Sequence, residues 1–252
     1  MAREEDQSRS CSSFQKWMAL QQQDLGELLE NLTITENPDA MLVELIQKAM
    51  THFEEYIERR AKLSKNDVSA FFAPAWNSSL ENSVLWIGGC RPSSFFRLLY
   101  ALCGSEVSSH LDQFLRGEVP PENIGNLSWK QMHQVDELHR RTIKEEENLG
   151  SRLASLQEDI ADQPISLIFR RQTRLSEPNE NVDRALDHHE EAMANLLLEA
   201  DKLRLRTFKE LVGLMTPVQA VDFMSAAKKL HLCIHELGKK RDSLHGRKQC
   251  SC

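Results

Sequence analysis

The sequence predicts an all-α protein, a single-domain bundle of about seven or eight helices with several long ones. Glycine and proline are scarce, at 10 and 8 of 252 residues, whereas leucine, glutamate, alanine and lysine are abundant. Apolar residues recur at helical spacing, and no alternating strand pattern of useful length occurs. These observations place the folded domain at residues 13–238, between a disordered N-terminus at 1–12 and a flexible basic tail at 239–252.

Two amphipathic helices open the domain. The first lies in "SSFQKWMALQQQDLGELLENL" and starts at a serine cap. Its apolar face comprises Phe14, Trp17, Met18, Leu25, Leu28, Leu29 and Leu32. The second helix takes Asn37 as its cap and Pro38 as its first residue. A polar link, "TITENP", separates the two helices.

The stretch "NSSLENSVLWIGGCRPSSFFRLLYALCG" predicts a short helix and a longer one joined by a glycine turn. Ser78 and Glu81 form a capping box for the short helix. Gly88 and Gly89 end that helix, because glycine adopts left-handed backbone geometry at low cost. Apolar residues surround both helices, so we expect this hairpin at the centre of the fold.

Three long helices complete the prediction. A capping box at Ser128 opens one that ends at Pro164, and another covers residues 182–215. The last helix takes Thr216 as its cap and ends at Gly238. Loops are predicted in "RGEVPPENIGN" and "FRRQTRLSEPNE" because of their prolines and polar residues.

Charge and composition exclude several classes of protein. The formal net charge is −7, so the chain as a whole is not attracted to nucleic acid or to anionic membranes. The N-terminus lacks the apolar core of a secretory signal, and no apolar run reaches the roughly 18 residues of a membrane-spanning helix. Six cysteines without a C-x-x-C pair indicate a reducing compartment. We therefore expect an intracellular protein.

His231 and His235, in "KKLHLCIHELG", are the candidate ligands for a haem iron or another metal. Residues four apart on a helix direct both imidazoles to the same side, as metal-binding helices require. Two ligands on one helix cannot lie on opposite faces of one porphyrin, so a haem would take one of them as its axial ligand. The alternative is that both are ordinary side chains of a packed helix. Cys233 projects in another direction and is not counted as a ligand.

The first helix is the candidate partner-binding element. Trp17, Met18 and Leu20 stand beside a polar "QQQ" face, and Leu25, Leu28 and Leu29 form an L-x-x-L-L box. An amphipathic helix with a tryptophan anchor suits a groove on another protein. The alternative is that these residues pack against their own domain.

No catalytic motif is evident. The sequence has no phosphate-binding loop, no H-E-x-x-H helix and no G-x-S-x-G elbow. Asp136 and His139 come nearest to the Glu-x-x-His motif of di-iron bundles, whose other ligands are missing. We therefore expect no enzymatic activity. The terminal "CSC" resembles a prenylated end, but no accompanying motif supports a membrane anchor.

The stretch "APAWNSSLENSVLWIGGCRPSSFFRLLYALCGSE" resembles the plant DELAY OF GERMINATION family, whose domain also forms the regulatory half of TGA-type bZIP transcription factors. Further similar stretches include "FQKWMALQQQDLGELL" and "TPVQAVDFMSAAKKLHLCIHELG", so the resemblance spans nearly the whole chain. The transcription factors carry a basic region and a zipper before this domain. Here the residues before the first helix lack a basic stretch, so direct DNA binding is not expected.

The resemblance implies a regulator of seed dormancy and abscisic-acid signalling that binds and inhibits type 2C protein phosphatases. It links the first helix, with Trp17, Met18 and Leu20, to phosphatase binding, and His231 and His235 to haem. We expect such a protein in nucleus and cytoplasm, with self-association left open and no membrane partner. The alternatives are a transcriptional cofactor that pairs with bZIP proteins and a sensor of haem or another small ligand.

Overall fold

The computed structural model describes residues 2–32, 39–115, 124–162, 166–167, 170 and 180–247. Within them the chain forms eight α-helices and no strand, which confirms the all-α prediction. The helices are α1 (Ala2–Leu32), α2 (Asp39–Leu63), α3 (Ser69–Phe72), α4 (Ser79–Ser83), α5 (Ser93–Leu115), α6 (Trp129–Asp159), α7 (Glu180–Gly213) and α8 (Pro217–Leu244). A 3₁₀ turn at Ile124–Asn126 precedes α6.

Three predicted capping boxes are present, at the starts of α4, α6 and α8. The hydroxyls of Ser78, Ser128 and Thr216 each accept a hydrogen bond from the backbone N–H three residues later. The side chain of that third residue accepts from the cap N–H in return. Because each box satisfies two backbone donors that the helix leaves unpaired, these starts could be predicted from local sequence.

Both ends of the domain are longer than predicted. Residues 2–12, expected to be disordered, belong to α1, and α8 continues past Gly238 to Leu244. Ser10 and Cys11 are buried, and Asp6 accepts a hydrogen bond from Asn66. At the other end Asp242 accepts a hydrogen bond from the backbone N–H of Ser79. Tertiary contacts therefore stabilise turns whose own sequence is weakly helical.

Gly238 does not end a helix. It is buried where α8 crosses α4, and a Cβ atom there would lie 2.7 Å from the Cβ of Ser78 and closer still to its hydroxyl. Glycine is needed at this position because the two helices approach each other closely. In the sequence alone, a glycine with this role looks the same as a glycine that ends a helix. Other predicted features lie outside the described residues, namely the Asn37–Pro38 helix start, residues 116–123, Pro164 and residues 171–179.

The main hydrophobic core joins α1, through Leu28, with α2, α5, α6, α7 and α8. Phe96 and Leu99 of α5 are fully buried in it, together with Leu211 and Phe223. This confirms the central position predicted for the longer helix of the glycine hairpin. A second cluster, around Leu196 and Ala200, packs α7 against α6 and the residues just before α5.

The glycine turn differs from the prediction. Helix α4 ends at Ser83, before the turn, and the left-handed residues are Ile87, with φ 44°, and Gly88, with φ 68°. Trp86 and Gly89 exchange two backbone hydrogen bonds across it, the pattern of a tight turn with two left-handed central residues. A left-handed isoleucine is unfavourable, so the surrounding structure must hold it.

Two buried arginines hold this turn. Arg204 donates to the carbonyl oxygens of Trp86, Ile87 and Cys90, and Arg60 donates to that of Gly88. Asp201 lies between the two guanidinium groups and accepts from both, at 3.0 Å from Arg60 and 2.6 Å from Arg204. We call Arg60, Asp201 and Arg204 the arginine clasp.

The residue after the turn, Arg91, is also paired within the domain. Its Nε donates to Glu146 of α6, which is fully buried and also accepts from the backbone N–H of Ser93. The W-x-G-G-x-R-P-S stretch thus forms a structural joint between α5, α6 and α7. Its arginine neutralises a carboxylate of the protein itself.

Candidate functional site

The structure brings the two predicted sites together. Helix α1 packs along α8 and α2, so its tryptophan lies near the histidine-bearing part of α8. We call this contact the α1–α8 seam. It is formed by Phe14, Trp17, Met18, Gln21 and Asp24 of α1 and by Lys228, Leu232 and His235 of α8, with His231 beside it.

Trp17 and Met18 lie inside the domain. The Trp17 ring stacks on Tyr56 with centroids 4.5 Å apart and planes 5° apart, and a second contact joins it to Phe53. The ammonium group of Lys228 lies 5.8 Å from the ring centroid, within range of a cation–π interaction. The buried face of α1 therefore contributes these two residues to the domain's own packing.

Leu20 occupies a different position from its two neighbours. It is half-buried, at the border between the buried stripe and an outer face formed by Lys16, Ala19 and Gln23, which are exposed. Of the three predicted partner-binding residues, Leu20 is the one that solvent reaches. Partner binding through these residues stays a prediction.

His235 is buried and has a partner. Its Nδ1 lies 2.8 Å from Oε1 of Glu81, and its ring meets that of Phe14 edge to face at 5.6 Å. The other oxygen of Glu81 accepts from the backbone N–H and hydroxyl of Ser78, as the α4 capping box requires. Burial raises the pKa of Glu81, but the hydrogen bonds from His235 and Ser78 outweigh it and lower the pKa overall.

His231 lies one turn earlier on α8 and is half-buried. Burial lowers its pKa to about 4, while nearby Glu81 acts in the opposite direction and His235 and Lys228 lower it further. The imidazole is therefore neutral at physiological pH. A neutral imidazole is the form that coordinates a metal ion.

Asp24 ties α1 to both of its neighbours. Its two oxygens lie 2.8 Å from Nδ1 of His52 on α2 and 2.8 Å from Nζ of Lys228 on α8. Asp24 and Lys228 are both buried, and burial lowers the pKa of Lys228 while Asp24 raises it. A carboxylate placed on the buried stripe of α1 thus determines how that helix docks.

The seam also contains a polar atom without a partner, at Gln21. Four buried side-chain atoms in the described chain lack a hydrogen bond: Ser13 Oγ, Gln21 Nε2, Asn77 Oδ1 and Ser225 Oγ. Three of the four belong to α1 and α8. An unpaired buried polar group costs about 1–3 kcal/mol, so this contact is less stable than its buried area alone suggests.

The two histidines differ in how well each could serve as a ligand for iron. His231 is neutral and partly accessible, whereas His235 is enclosed by Phe14 and bound to Glu81. The described residues contain no group of three or more histidine, cysteine, aspartate or glutamate side chains that could hold a metal ion. The donor set fits one axial ligand, His231, and not a protein cage of several ligands.

Sequence reasoning missed the partners of the predicted residues. Glu81 was assigned to its capping box, which uses one of its oxygens and leaves the other for His235. Asp24 and Lys228 are 204 residues apart and have no local signal in common. The sequence did contain one signal of this buried ion pair, because Asp24 is a charged residue at helical spacing on an apolar stripe.

None of the described helices has the length and apolar character needed to cross a membrane.

Comparison with known proteins adds a family assignment to this geometry. The family model described as "DOG1: Seed dormancy control" matches residues 24–101, from the C-terminal third of α1 into α5. Protein DOG1-like 1 of Arabidopsis thaliana is 41% identical over 248 residues, which covers 91% of this chain and 88% of the relative.

More distant relatives match as well. Protein RESPONSE TO ABA AND SALT 1 of Arabidopsis thaliana is 25% identical over 78% of this chain and 79% of its own length. Transcription factor TGA2 of the same plant is 24% identical over 81% of this chain and 56% of its own length. The similarity to both extends well beyond the residues that the family model matches.

Proposed function

Because the chain belongs to the DOG1 seed dormancy control family, we propose that it is a non-enzymatic regulator of seed dormancy and abscisic-acid signalling that binds and inhibits type 2C protein phosphatases. The observation that carries the proposal is this membership, at 41% identity over most of both chains. The name of a second relative, RESPONSE TO ABA AND SALT 1, supports the hormonal context. We place the protein in nucleus and cytoplasm, which imaging of a fluorescent fusion tests.

The phosphatase-binding element in this proposal is α1. Its outer face, with half-buried Leu20 at the edge, is available in the folded domain. Trp17 and Met18 reach a partner only if α1 leaves α8 and α2, and the unpaired amide nitrogen of Gln21 in the seam lowers the cost of that movement. The proposal therefore assigns Leu20 to first contact and Trp17 and Met18 to a complex in which α1 is displaced.

A pulldown with purified type 2C phosphatases tests this assignment. We expect wild-type protein to retain and inhibit a phosphatase and Leu20→Ala to weaken retention. Leu186→Ala on α7 is the matched control, because Leu186 is also a partly exposed leucine on a long helix. Equal retention of all three proteins would remove α1 from the interface, and failure of wild type to retain any phosphatase would contradict the proposed partner.

Trp17→Ala needs a stability measurement beside it. Truncation of a buried tryptophan costs about 3–5 kcal/mol, so loss of binding alone would not distinguish a contact from unfolding. Phosphatase retention should therefore be measured at a temperature at which circular dichroism shows that the variant is still folded. Lost retention there assigns Trp17 to the complex, and retained binding limits it to the core.

We further propose modulation by haem, with His231 as the axial ligand. A bound haem would supply sensitivity to redox state or to a diatomic gas. His231 offers a neutral, partly accessible imidazole, and His235 becomes a ligand only if its contact with Glu81 opens.

Titration with hemin, followed at the Soret band, tests the haem proposal. The expected result is saturable binding that His231→Ala abolishes and His235→Ala weakens less. His188→Ala is the control, since His188 is an exposed histidine on α7. If the double variant of His231 and His235 binds hemin as wild type does, the haem proposal fails.

The similarity to TGA2 favours a second candidate function, a transcriptional cofactor that pairs with bZIP proteins. Co-purification from plant nuclear extract distinguishes the cofactor function from phosphatase inhibition. Recovery of zipper proteins without any phosphatase would favour the cofactor function, and recovery of a phosphatase would favour the first.

A further inference from the structure

Three side chains with metal-ligating atoms meet where α5 packs against α6. The hydroxyl of Tyr100 donates to Oδ1 of Asp136 at 2.7 Å and lies 3.4 Å from Nδ1 of His139. Asp136 and His139 are three residues apart on α6, so one face of that helix presents both to the tyrosine of α5. They are the pair whose spacing came nearest to a di-iron motif, and the fold adds a third donor from another helix.

The separations between these donor atoms suit ligands around one metal ion. Oxygen and nitrogen ligands lie about 2.0–2.2 Å from zinc. At such bond lengths two ligands are about 2.9 Å apart at a right angle and about 3.3 Å apart at the tetrahedral angle. The hydroxyl of Tyr100 is 2.7 Å from one donor and 3.4 Å from the other. Small shifts of side chains therefore suffice to admit an ion.

The surrounding fold fixes the orientation of the histidine ring. His139 stacks on the fully buried Phe96, with ring centroids 4.6 Å apart and planes 17° apart. In this orientation Nδ1 faces the hydroxyl of Tyr100. Burial is the largest influence on the pKa of His139 and lowers it, so the imidazole is neutral at pH 7. Neutral imidazole is the form that coordinates metals.

We propose that Tyr100, Asp136 and His139 form a binding site for a divalent transition-metal ion such as zinc. Three protein ligands leave a fourth tetrahedral position, and solvent reaches it because Asp136 is exposed and the other two side chains are half-buried. Binding breaks the O–H bond of Tyr100: the phenolate oxygen coordinates the metal and the proton passes to solvent. Metal–oxygen bonds replace the hydrogen bond to Asp136, so the ion ties α5 to α6.

Charged neighbours act on such an ion in both directions. Arg97 and Arg140 are exposed cations near the site and oppose a bound dication. Burial and the hydrogen bond to Asp136 raise the pKa of Tyr100, and the two arginines lower it by less. The phenol therefore keeps its proton in the free protein and loses it on metal binding. The phenolate and the carboxylate of Asp136 then neutralise the two positive charges of the metal.

Titration of the purified full chain with zinc chloride at pH 7 tests the site. Tyrosinate formation is followed by ultraviolet difference absorption, and the chain has only one other tyrosine, Tyr56, which is stacked on Trp17. We expect a saturable tyrosinate signal that Tyr100→Phe abolishes. Asp136→Asn and His139→Gln should each weaken apparent zinc affinity at least about tenfold. No tyrosinate signal in wild type, or a signal that persists in Tyr100→Phe, overturns the proposal.

His133→Gln and Glu137→Gln are the matched controls. The two side chains are exposed on the same helix and approach each other to 3.7 Å, so they offer zinc a second pair of donors. Both variants should bind zinc as wild type does. Loss of binding in either variant, with binding intact in His139→Gln, would place the ion on this surface pair and overturn the site.

Thermal unfolding tests whether the ion joins the two helices. Tyr100→Phe keeps the aromatic ring and loses only the hydroxyl, and circular dichroism checks that it is folded. A ligand that binds only the folded state raises the melting temperature, so saturating zinc should raise that of wild type more than that of Tyr100→Phe. Equal shifts overturn the bridge. None of these measurements involves hemin or a phosphatase, so the metal site and the proposed function can fail independently.

Discussion

The arginine clasp and the α1–α8 seam are both buried and both charged, yet their polar groups are satisfied to different degrees. In the clasp, Arg60 and Arg204 donate to one carboxylate and to four backbone oxygens of a tight turn. In the seam, Asp24 pairs with His52 and Lys228, while Gln21 keeps an unpaired amide nitrogen.

The difference indicates which part of the protein can move. A network in which guanidinium groups hold backbone carbonyls resists opening, because every bond broken leaves a charge or a carbonyl without a partner. A contact that already contains unpaired polar groups loses less when it separates, and water satisfies those groups on opening. The most conspicuous sequence motif therefore marks a rigid joint, and the less conspicuous seam marks the surface suited to regulation.

Breaking the clasp should have the largest effect on stability. Arg204→Ala removes the donor to three carbonyls and leaves Asp201 with Arg60 alone, so we expect a loss of about 3–5 kcal/mol in the free energy of unfolding. Urea titration followed by circular dichroism measures it. Arg206→Ala, which removes the exposed ion pairs of Arg206 with Glu145 and Glu210, should change stability by less than about 1 kcal/mol. Similar losses for both would refute the structural role of the clasp.

The α4–α8 crossing beside the seam should respond next. Gly238→Ala places a methyl group against Ser78, and overpacking of this kind costs about 1–3 kcal/mol. The same substitution at Gly150, where nothing lies within 4 Å of the new atom, should be neutral or stabilising. Thermal unfolding of the Gly238→Ala and Gly150→Ala variants measures the difference in stability. If Gly238 tolerates alanine as well as Gly150 does, the close approach is not required.

Removing an unpaired atom from the seam should stabilise the protein. Gln21→Leu replaces a buried amide whose nitrogen has no partner, and we expect a gain of about 1 kcal/mol. Gln22→Leu, at the exposed neighbouring position, should give little change. Chemical denaturation measures both variants. A loss of stability in Gln21→Leu would mean that this side chain is satisfied in solution, and the contrast with the clasp would weaken.

The smallest expected effect is a pH dependence from His231. Its pKa is about 4 in the fold and about 6.5 in the unfolded chain, so the unfolded state takes up a proton first as the pH falls. Stability should therefore decrease between pH 6.5 and 4, and His231→Gln should lack about 0.5–1 kcal/mol of the decrease seen between pH 6.5 and 5.5. Denaturation at several pH values compares the two proteins. Parallel pH profiles would contradict the burial of His231.

Local signals predicted much of the fold and little of the site. Capping boxes at Ser78, Ser128 and Thr216 satisfy backbone groups within four residues, so sequence alone was sufficient to locate three helix starts. The role of Gly238 could not be predicted, because a glycine that allows two helices to approach resembles one that ends a helix. The pairing of His235 with Glu81 depends on how α8 crosses α4, which no local pattern encodes.

The Asp24–Lys228 contact spans 204 positions of the chain and so constrains the order in which the protein can be built. During synthesis the N-terminal helix leaves the ribosome long before its docking surface on the last helix exists. Until then Trp17 and the rest of its apolar face have no α8 to pack against. Closing so distant a contact is slow, because the entropy of the intervening loop is lost before the contact forms. The nascent chain is therefore expected to expose the same face of α1 that the proposed partner would use.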